Sequence, residues 1–313
     1  MDSRARAIAV GVGFVALALV PAAAAALNQP FYLDLFRRIM IFAIAAVSLD
    51  LILGYGGMVS FGHAAYLGLG AYAVAIPAFY GVQSGVLQWT LAVGLSGVVA
   101  LLIGAVSLRT SGVSFIMITL AFAQMLYYLG ISINAWGADD GMRLARRSQF
   151  GGRLDLGNPY VFYYVVLGLL VILLWLGHRL IHARFGLVLR AAKSNEPRMR
   201  AIGFATFRYR LAAFVMAGAV GGLAGALLTN QTEYLTPSYM HWTRSGDIMV
   251  MVILGGMGTL FGPVLGAFVF LLLEDLLSKW TVHWQVVLGP LLVLIVLYAR
   301  RGLWGLLPVS RHD

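Results

Sequence analysis

The stretch Asp50-Leu-Ile-Leu-Gly-Tyr-Gly-Gly-Met-Val-Ser-Phe-Gly-His-Ala-Ala-Tyr-Leu-Gly-Leu-Gly-Ala-Tyr72 opens on a carboxylate, and no further charged side chain follows until Arg109. A helix crossing the hydrocarbon core of a bilayer needs about 20 apolar residues, so this interval has room for two or three crossings. The pattern repeats outward. No charge falls between Arg6 and Asp34, Arg109 and Asp139, Asp155 and Arg179, Arg210 and Glu233, Asp247 and Glu274, or Lys279 and Arg300. Of the 313 residues 61% are hydrophobic and 11% charged, with a mean hydropathy of +0.87. Ordinary soluble domains carry about 25% charged residues, so this chain cannot cover a water-facing surface and needs lipid as its solvent.

The expected fold is an all-α polytopic membrane protein. It has about eight full transmembrane helices plus broken or re-entrant half-helices, eight to ten apolar segments in all, and residues 1–313 form one transmembrane domain. Spans are expected at 7–27, 39–53, 60–80, 88–108, 112–133, 159–178, 211–230 and 281–299, with a broken region at 248–273. Arg4, Arg6, an apolar run and Ala22 to Ala26 also resemble a secretory leader with a small-residue cleavage site. The run from Ala7 to Leu27 is long enough to span, and it is read as the first crossing.

Orientation follows from charge. The segment 179–210 carries eight basic residues against Glu196 alone, which marks it as cytoplasmic. Counting spans from it gives the cytoplasmic side a net +11 and the outer side zero, with both termini inside. The loop from Ala135 to Pro159, with four arginines against three aspartates, fits an outer position poorly. The same count shapes 248–273. A single crossing there would put Glu274-Asp275 inside and Arg300-Arg301 outside, both unfavourable, and the stretch is too short for two full spans. Gly255-Gly256, Gly258, Gly262 and Pro263 interrupt it, so two half-helices meeting inside the protein are expected, since irregular backbone at membrane depth must be buried or line a cavity.

Several chemistries are excluded or weak. There is no cysteine, hence no disulfide, thiolate metal site or cysteine nucleophile. The only lysines, Lys193 and Lys279, are not preceded by glycine, so the chain has no phosphate-binding P-loop. The basic excess sits in short segments flanking apolar runs, which speaks for membrane orientation and against nucleic acid. His178 and His182 lack a third ligand nearby, so no metal or cofactor is expected. Ser60 with His63 gives an alternative reading as an intramembrane serine hydrolase with Asp50 as orienting acid.

Two glycine-rich stretches point to a moving path. In the first, Asp50, Gly57, Ser60 and His63 set polar or backbone groups where lipid penalises them, unless they face an interior or a wet path. The second, Leu254-Gly-Gly-Met-Gly-Thr-Leu-Phe-Gly-Pro-Val-Leu-Gly-Ala267, echoes it in order, with Gly256, Gly258 and Gly262 as candidate path residues. Glycines as plain helix-packing contacts are the other reading of both. In the basic loop, Asn195 suits an N-cap, Glu196 and Pro197 a first turn, and Gly203 the position past a helix end. A short helix of about 10 Å is expected there.

These residues resemble a known family. The run Gly54 to Tyr72, the loop Phe185-Gly-Leu-Val-Leu-Arg-Ala-Ala-Lys-Ser-Asn-Glu196 followed by Ala201-Ile-Gly203 and Tyr209-Arg-Leu-Ala-Ala-Phe214, and the run Leu254 to Ala267 look like inner-membrane permeases of branched-chain amino-acid ABC importers, the LivM-type subunit in particular. The resemblance covers residues 40–300. It implies the ABC importer permease fold and a multi-pass subunit of a bacterial inner membrane. The implied partners are a second, related permease, two cytoplasmic ATPases and a periplasmic substrate-binding protein. It also implies that loop 179–210 holds the helix that sits on the ATPase, with Arg190, Lys193, Asn195, Glu196, Ala201 and Gly203 at the matching positions. Pro197, Arg198 and Arg200 depart from the usual pattern and make this helix more basic. Related permeases serve urea, short amides and other amino acids, so the solute stays open.

Overall fold

The computed structural model describes residues 3–151, 155–281, 283–298 and 302–306. Thirteen α-helices run through the described residues: α1 Ser3–Ala26, α2 Pro30–Asp50, α3 His63–Phe79, α4 Gly85–Ser107, α5 Val113–Ser132, α6 Pro159–His182, α7 Arg184–Ser194, α8 Glu196–Ala201, α9 Thr206–Thr232, α10 Trp242–Gly255, α11 Gly262–Trp280, α12 Trp284–Tyr298 and α13 Gly302–Leu306. A two-residue strand, β1 (Met142–Arg143), pairs antiparallel with β2 (Tyr234–Leu235).

α4, α5, α6 and α9 are long and apolar enough to cross a bilayer on length and composition alone. α1, α3 and α12 carry shorter apolar stretches, while α2 and α11 are long but bear charges. α9 is the central rod, packed against α2, α3 and α4. Its glycines make that possible: a Cβ on Gly225 would collide with the Leu67 carbonyl, and one on Gly70 with the Gly222 carbonyl, so α3 and α9 touch backbone to backbone. The outward faces of α4 and α6 show Val98, Leu102, Ile172 and Trp175, as contact with lipid requires.

A helix stands at each expected span and in the expected order, with boundary corrections that share a cause. The span expected at 39–53 begins at Pro30, because Arg37 is neutralised inside the fold and does not end the helix. Its side chain is 1% exposed, pairs with Asp34, donates to the Pro159 carbonyl at 3.4 Å and stacks over Phe162 at 4.7 Å. Likewise α9 starts at Thr206, taking in Arg208 and Arg210 ahead of the expected 211. The broken region is present, but its halves are unequal. The 14-residue α10 and the 19-residue α11 form a hairpin around a break at 256–261. Loop 179–210 shrinks to 183–205, since α6 runs to His182, and most of it is helical.

The basic loop 135–159 now has a reason for its charge. Arg147 is 15% exposed, pairs with Glu233 at 2.9 Å, donates to the Leu156 carbonyl at 2.9 Å and lies 5.5 Å from the Phe162 ring, on which Arg37 also stacks. An arginine committed to the interior adds little to orientation. Segments assigned to one side by charge do meet at one end of the bundle: Arg38 in α2 bonds Glu274 in α11 at 3.1 Å, and Gln231 in α9 donates to the Asp34 carbonyl at 2.8 Å. At the other end the 108–111 turn lies beside α8, and Gly302 abuts Gly256.

Candidate functional site

The two glycine-rich stretches fold as helix, break, helix, and the breaks touch. α2 ends at Asp50 and continues as a single π-helical turn, Leu51–Tyr55, a form common at functional sites. The chain then runs irregularly to α3. In the second stretch Gly256 (φ 119°) and Gly258 (φ 71°) take backbone conformations that a side chain disfavours. Thr259 closes that break, its Oγ1 donating to the Gly256 carbonyl at 2.7 Å and accepting the Gly262 N–H at 3.2 Å. The breaks are joined by one bond: Asp50 Oδ1 accepts the Gly258 N–H at 2.8 Å. Asp50 is 2% exposed, and a Cβ on Gly54 would collide with both its carboxylate and the Gly258 nitrogen.

A third segment enters the same junction. Lys193, at the end of α7, donates from Nζ to the Gly54 carbonyl at 2.6 Å, lies within Coulombic reach of Asp50, and rests its stem on Gly57, whose φ is 68°. The π-turn leaves this carbonyl without an in-helix donor, and an ammonium is a strong one. Asp50, Gly54, Gly57, Lys193 and Gly258, far apart in the chain, thus form one contact set. On sequence alone Lys193 falls in the partner-facing loop, and Asp50, Gly57 and Gly258 fall in the path. A single bond across 139 positions leaves no periodic trace.

Beyond Lys193 the chain turns into α8. Asn195 Oδ1 accepts the Arg198 N–H at 3.0 Å as the expected N-cap, Pro197 sits in the first turn, and Gly203 takes φ 91° just past the end. Glu196 bonds Arg200 and Arg210 at 2.6 Å each and accepts from Thr206 at 3.1 Å, which fastens α8 to the foot of α9. Partial burial alone would raise the Glu196 carboxyl, but Arg210, hydrogen bonds from Arg200 and Thr206, and the Arg200 charge together hold it below the usual carboxylate range. Arg190 is directed elsewhere: its guanidinium donates to the Ile181 and Gly186 carbonyls at 3.3 and 3.4 Å and caps the end of α6. Ala201 and Gly203 are exposed. A cleft of about 700 Å³ separates α8 from the 108–111 turn, with Arg109, Arg200 and Arg210 on its wall.

Ser60 and His63 are completely buried. Ser60 Oγ accepts the Gly62 N–H at 3.2 Å, whereas His63 Nε2 lies 2.8 Å from Ser48 Oγ. The serine–histidine pair of a hydrolase is therefore not formed at Ser60, and its supposed orienting acid, Asp50, is engaged by Gly258. A cavity of about 360 Å³ between α2, α6 and α9 has Ser48 and Asp50 on an otherwise apolar wall. Gly262 is pressed between the carbonyls of Gly255 and Gly256, which makes it a packing contact of the α10–α11 hairpin. His178 and His182 stack at 4.2 Å, and among the described residues no cluster of three metal-ligating side chains exists.

The sequence matches the family described as branched-chain amino acid transport system / permease component over residues 31–297. It is 27% identical to the high-affinity branched-chain amino acid transport system permease protein LivM of Salmonella typhimurium, across 89% of this chain and 70% of that protein. It is 26% identical to LivM of Escherichia coli K12 over the same shares, and 25% identical to the LivH permease protein of that strain across 84% of this chain and 91% of LivH. No solved structure matches the chain.

Proposed function

The chain belongs to the branched-chain amino acid transport permease family, and from that premise we propose that it is half of the membrane channel of an ABC importer. In this reading α8 faces the cytoplasm with both termini, as the charge bias requires. A second, related permease completes the path, two ATPases attach beneath, and a periplasmic binding protein delivers a branched-chain or related amino acid from outside. That the chain resembles LivM and LivH alike supports a pairing of two such permeases.

The observation that carries the proposal is the contact of Lys193 with the Gly54 carbonyl, backed by the Asp50–Gly258 bond. Two conformations opening to opposite sides need a source of differential free energy, and the sequence holds no P-loop. Work from a partner must enter as displacement of a rigid part. α8, clamped by Glu196 to α9 and packed on α7 across the turn at Asn195, is such a part, and Lys193 links it to the two places where the membrane helices are broken.

Glu196→Arg and Gly203→Trp test this. The first turns a three-way clamp into repulsion with Arg200 and Arg210, and the second puts a bulky side chain at φ 91°. Both variants are expected to insert and to bind the ATPase subunits while ATP hydrolysis no longer drives uptake. Unchanged uptake in both contradicts the coupling role of α8.

A further inference from the structure

The cleft between α8 and the α4–α5 turn carries charge that the coupling role of α8 leaves unused. Arg109, Arg200 and Arg210 line it with Glu196 as the single carboxylate, a surplus of two positive charges. Glu196 is already engaged, its oxygens accepting from Arg200, Arg210 and Thr206. Arg109 is exposed, and its Nε bonds the Ala105 carbonyl of its own helix at 3.2 Å. Donors outnumber acceptors on this wall, since Arg210 Nε is buried without a hydrogen-bond partner. An opening of about 700 Å³ with such a surplus selects an anion.

Its position in the fold says which anion. α4 and α5, of 23 and 20 residues, run about 34 and 30 Å, and both are apolar enough to cross a hydrocarbon core of about 30 Å. The turn that joins them, 108–112, therefore sits at headgroup depth. Val106 and Val113 on either side of that turn are exposed, and so are Leu102 and Met117 one helical turn further into the bilayer. At this four-residue spacing each pair forms an apolar strip that starts at the turn. A free anion gains nothing from such strips, whereas a phospholipid lays its acyl chains along them. The rest of α8 stays open to a protein partner, because Arg198 and Ile202 are exposed and lie outside the cleft.

We propose that the cleft holds the phosphate of an anionic phospholipid, which bridges Arg109 on the α4–α5 turn to Arg200 on α8 and Arg210 on α9. Basic pockets at the cytoplasmic ends of membrane helices attract such headgroups. A phosphatidylcholine brings its own positive charge and forfeits the arginine surplus. The bound lipid ties α8 to the end of α4, a second fastening beside the Glu196 clamp. The site shares with the importer reading only the cytoplasmic placement of α8.

Full-length permease in nanodiscs of mixed phosphatidylglycerol and phosphatidylcholine tests this against permease in phosphatidylcholine alone. Protease cleavage within 195–205 is expected to be about tenfold slower in the mixed lipid, as a charged hydrogen bond implies. Arg109→Gln abolishes that difference. Arg184→Gln, which removes an exposed arginine outside the cleft, keeps it. Mass spectrometry of the detergent-extracted wild type finds retained phosphatidylglycerol that Arg109→Gln loses. Equal cleavage in the two lipids, or equal losses in Arg109→Gln and Arg184→Gln, overturns the site. Inorganic phosphate that protects as well in phosphatidylcholine would make the ligand a free anion and overturn the lipid. Protection that appears in phosphatidylcholine only when the ATPase subunits are added, and that depends on Arg109, would give the cleft to an acidic surface of that partner and overturn it equally. None of these outcomes measures uptake, so the importer reading is tested separately by Glu196→Arg and Gly203→Trp.

Discussion

The breaks after α2 and after α10 share the residues Gly-Gly-Met and behave differently. After α10 the chain folds straight back, and α11 lies along α10 so closely that a Cβ on Gly255 would meet the backbone of Gly262 and Gly266, and one on Gly266 the Met251 carbonyl. After α2 the helix unwinds through a π-turn, and α3 leaves to pack on α4 and α9 instead of returning along α2. The second break is a closed hairpin fastened by Thr259. The first is held from outside, by Gly258 on one flank and Lys193 on the other. A local sequence echo fixes where backbone is irregular, while the partners of the freed backbone groups decide whether the break is rigid or can be worked.

The strongest way to break this distinction is Gly54→Leu. Its side chain must displace Asp50 and the Gly258 backbone, and overpacking of this kind costs about 1–3 kcal/mol or more. Loss of uptake and a lower thermal midpoint of the purified permease are expected, whereas Gly246→Leu, with open space around it, is expected to leave that midpoint within error. Next in size is Lys193→Met, which keeps the stem on Gly57 and removes the ammonium. A charged hydrogen bond contributes about 1.5–3 kcal/mol, so transport per ATP hydrolysed should fall about tenfold or more. An unchanged transport ratio would show that Lys193 transmits nothing.

A smaller effect concerns α8 alone. The Glu196 clamp is held by a carboxyl whose folded value lies below its ordinary 4.5. Its stabilisation is therefore complete above that ordinary value and is lost as pH falls through the depressed one. Limited proteolysis of 195–205 should stay flat from neutral pH down to the ordinary carboxylate range and accelerate only below it. Glu196→Gln should be cut faster at neutral pH and show no such acid step. Smallest is Asn195→Ala, which removes the N-cap bond and costs α8 about 1 kcal/mol, read as a modest rise in the same cleavage rate.

What the sequence disclosed follows the range of each interaction. Lipid penalises charge one residue at a time, so the gaps between charges place the spans. The cap at Asn195 and the turn at Gly203 are local, and they were legible for that reason. Arg37 misled because its burial is offset by Asp34, Pro159 and Phe162, the last two far away in sequence. Lys193, Asp50 and Gly258 are each visible as unusual residues, but nothing in the chain tells that they meet.

The central claim is that α7 and α8 drive the first break through a lasting contact at Lys193. Between Gly57 and Lys193 a Cβ–Cβ separation of 3.6 Å is available, which suits a disulfide, and the natural chain has no cysteine to interfere. The double variant Gly57→Cys with Lys193→Cys, assembled with its partners in vesicles, is expected to transport poorly when reduced, because the ammonium is gone and a side chain at φ 68° strains the break, and to regain ATP-driven uptake when oxidised, because the link is restored. Uptake that stays lost or falls further on oxidation would mean that this contact must open during the cycle, and rigid transmission through Lys193 would be wrong.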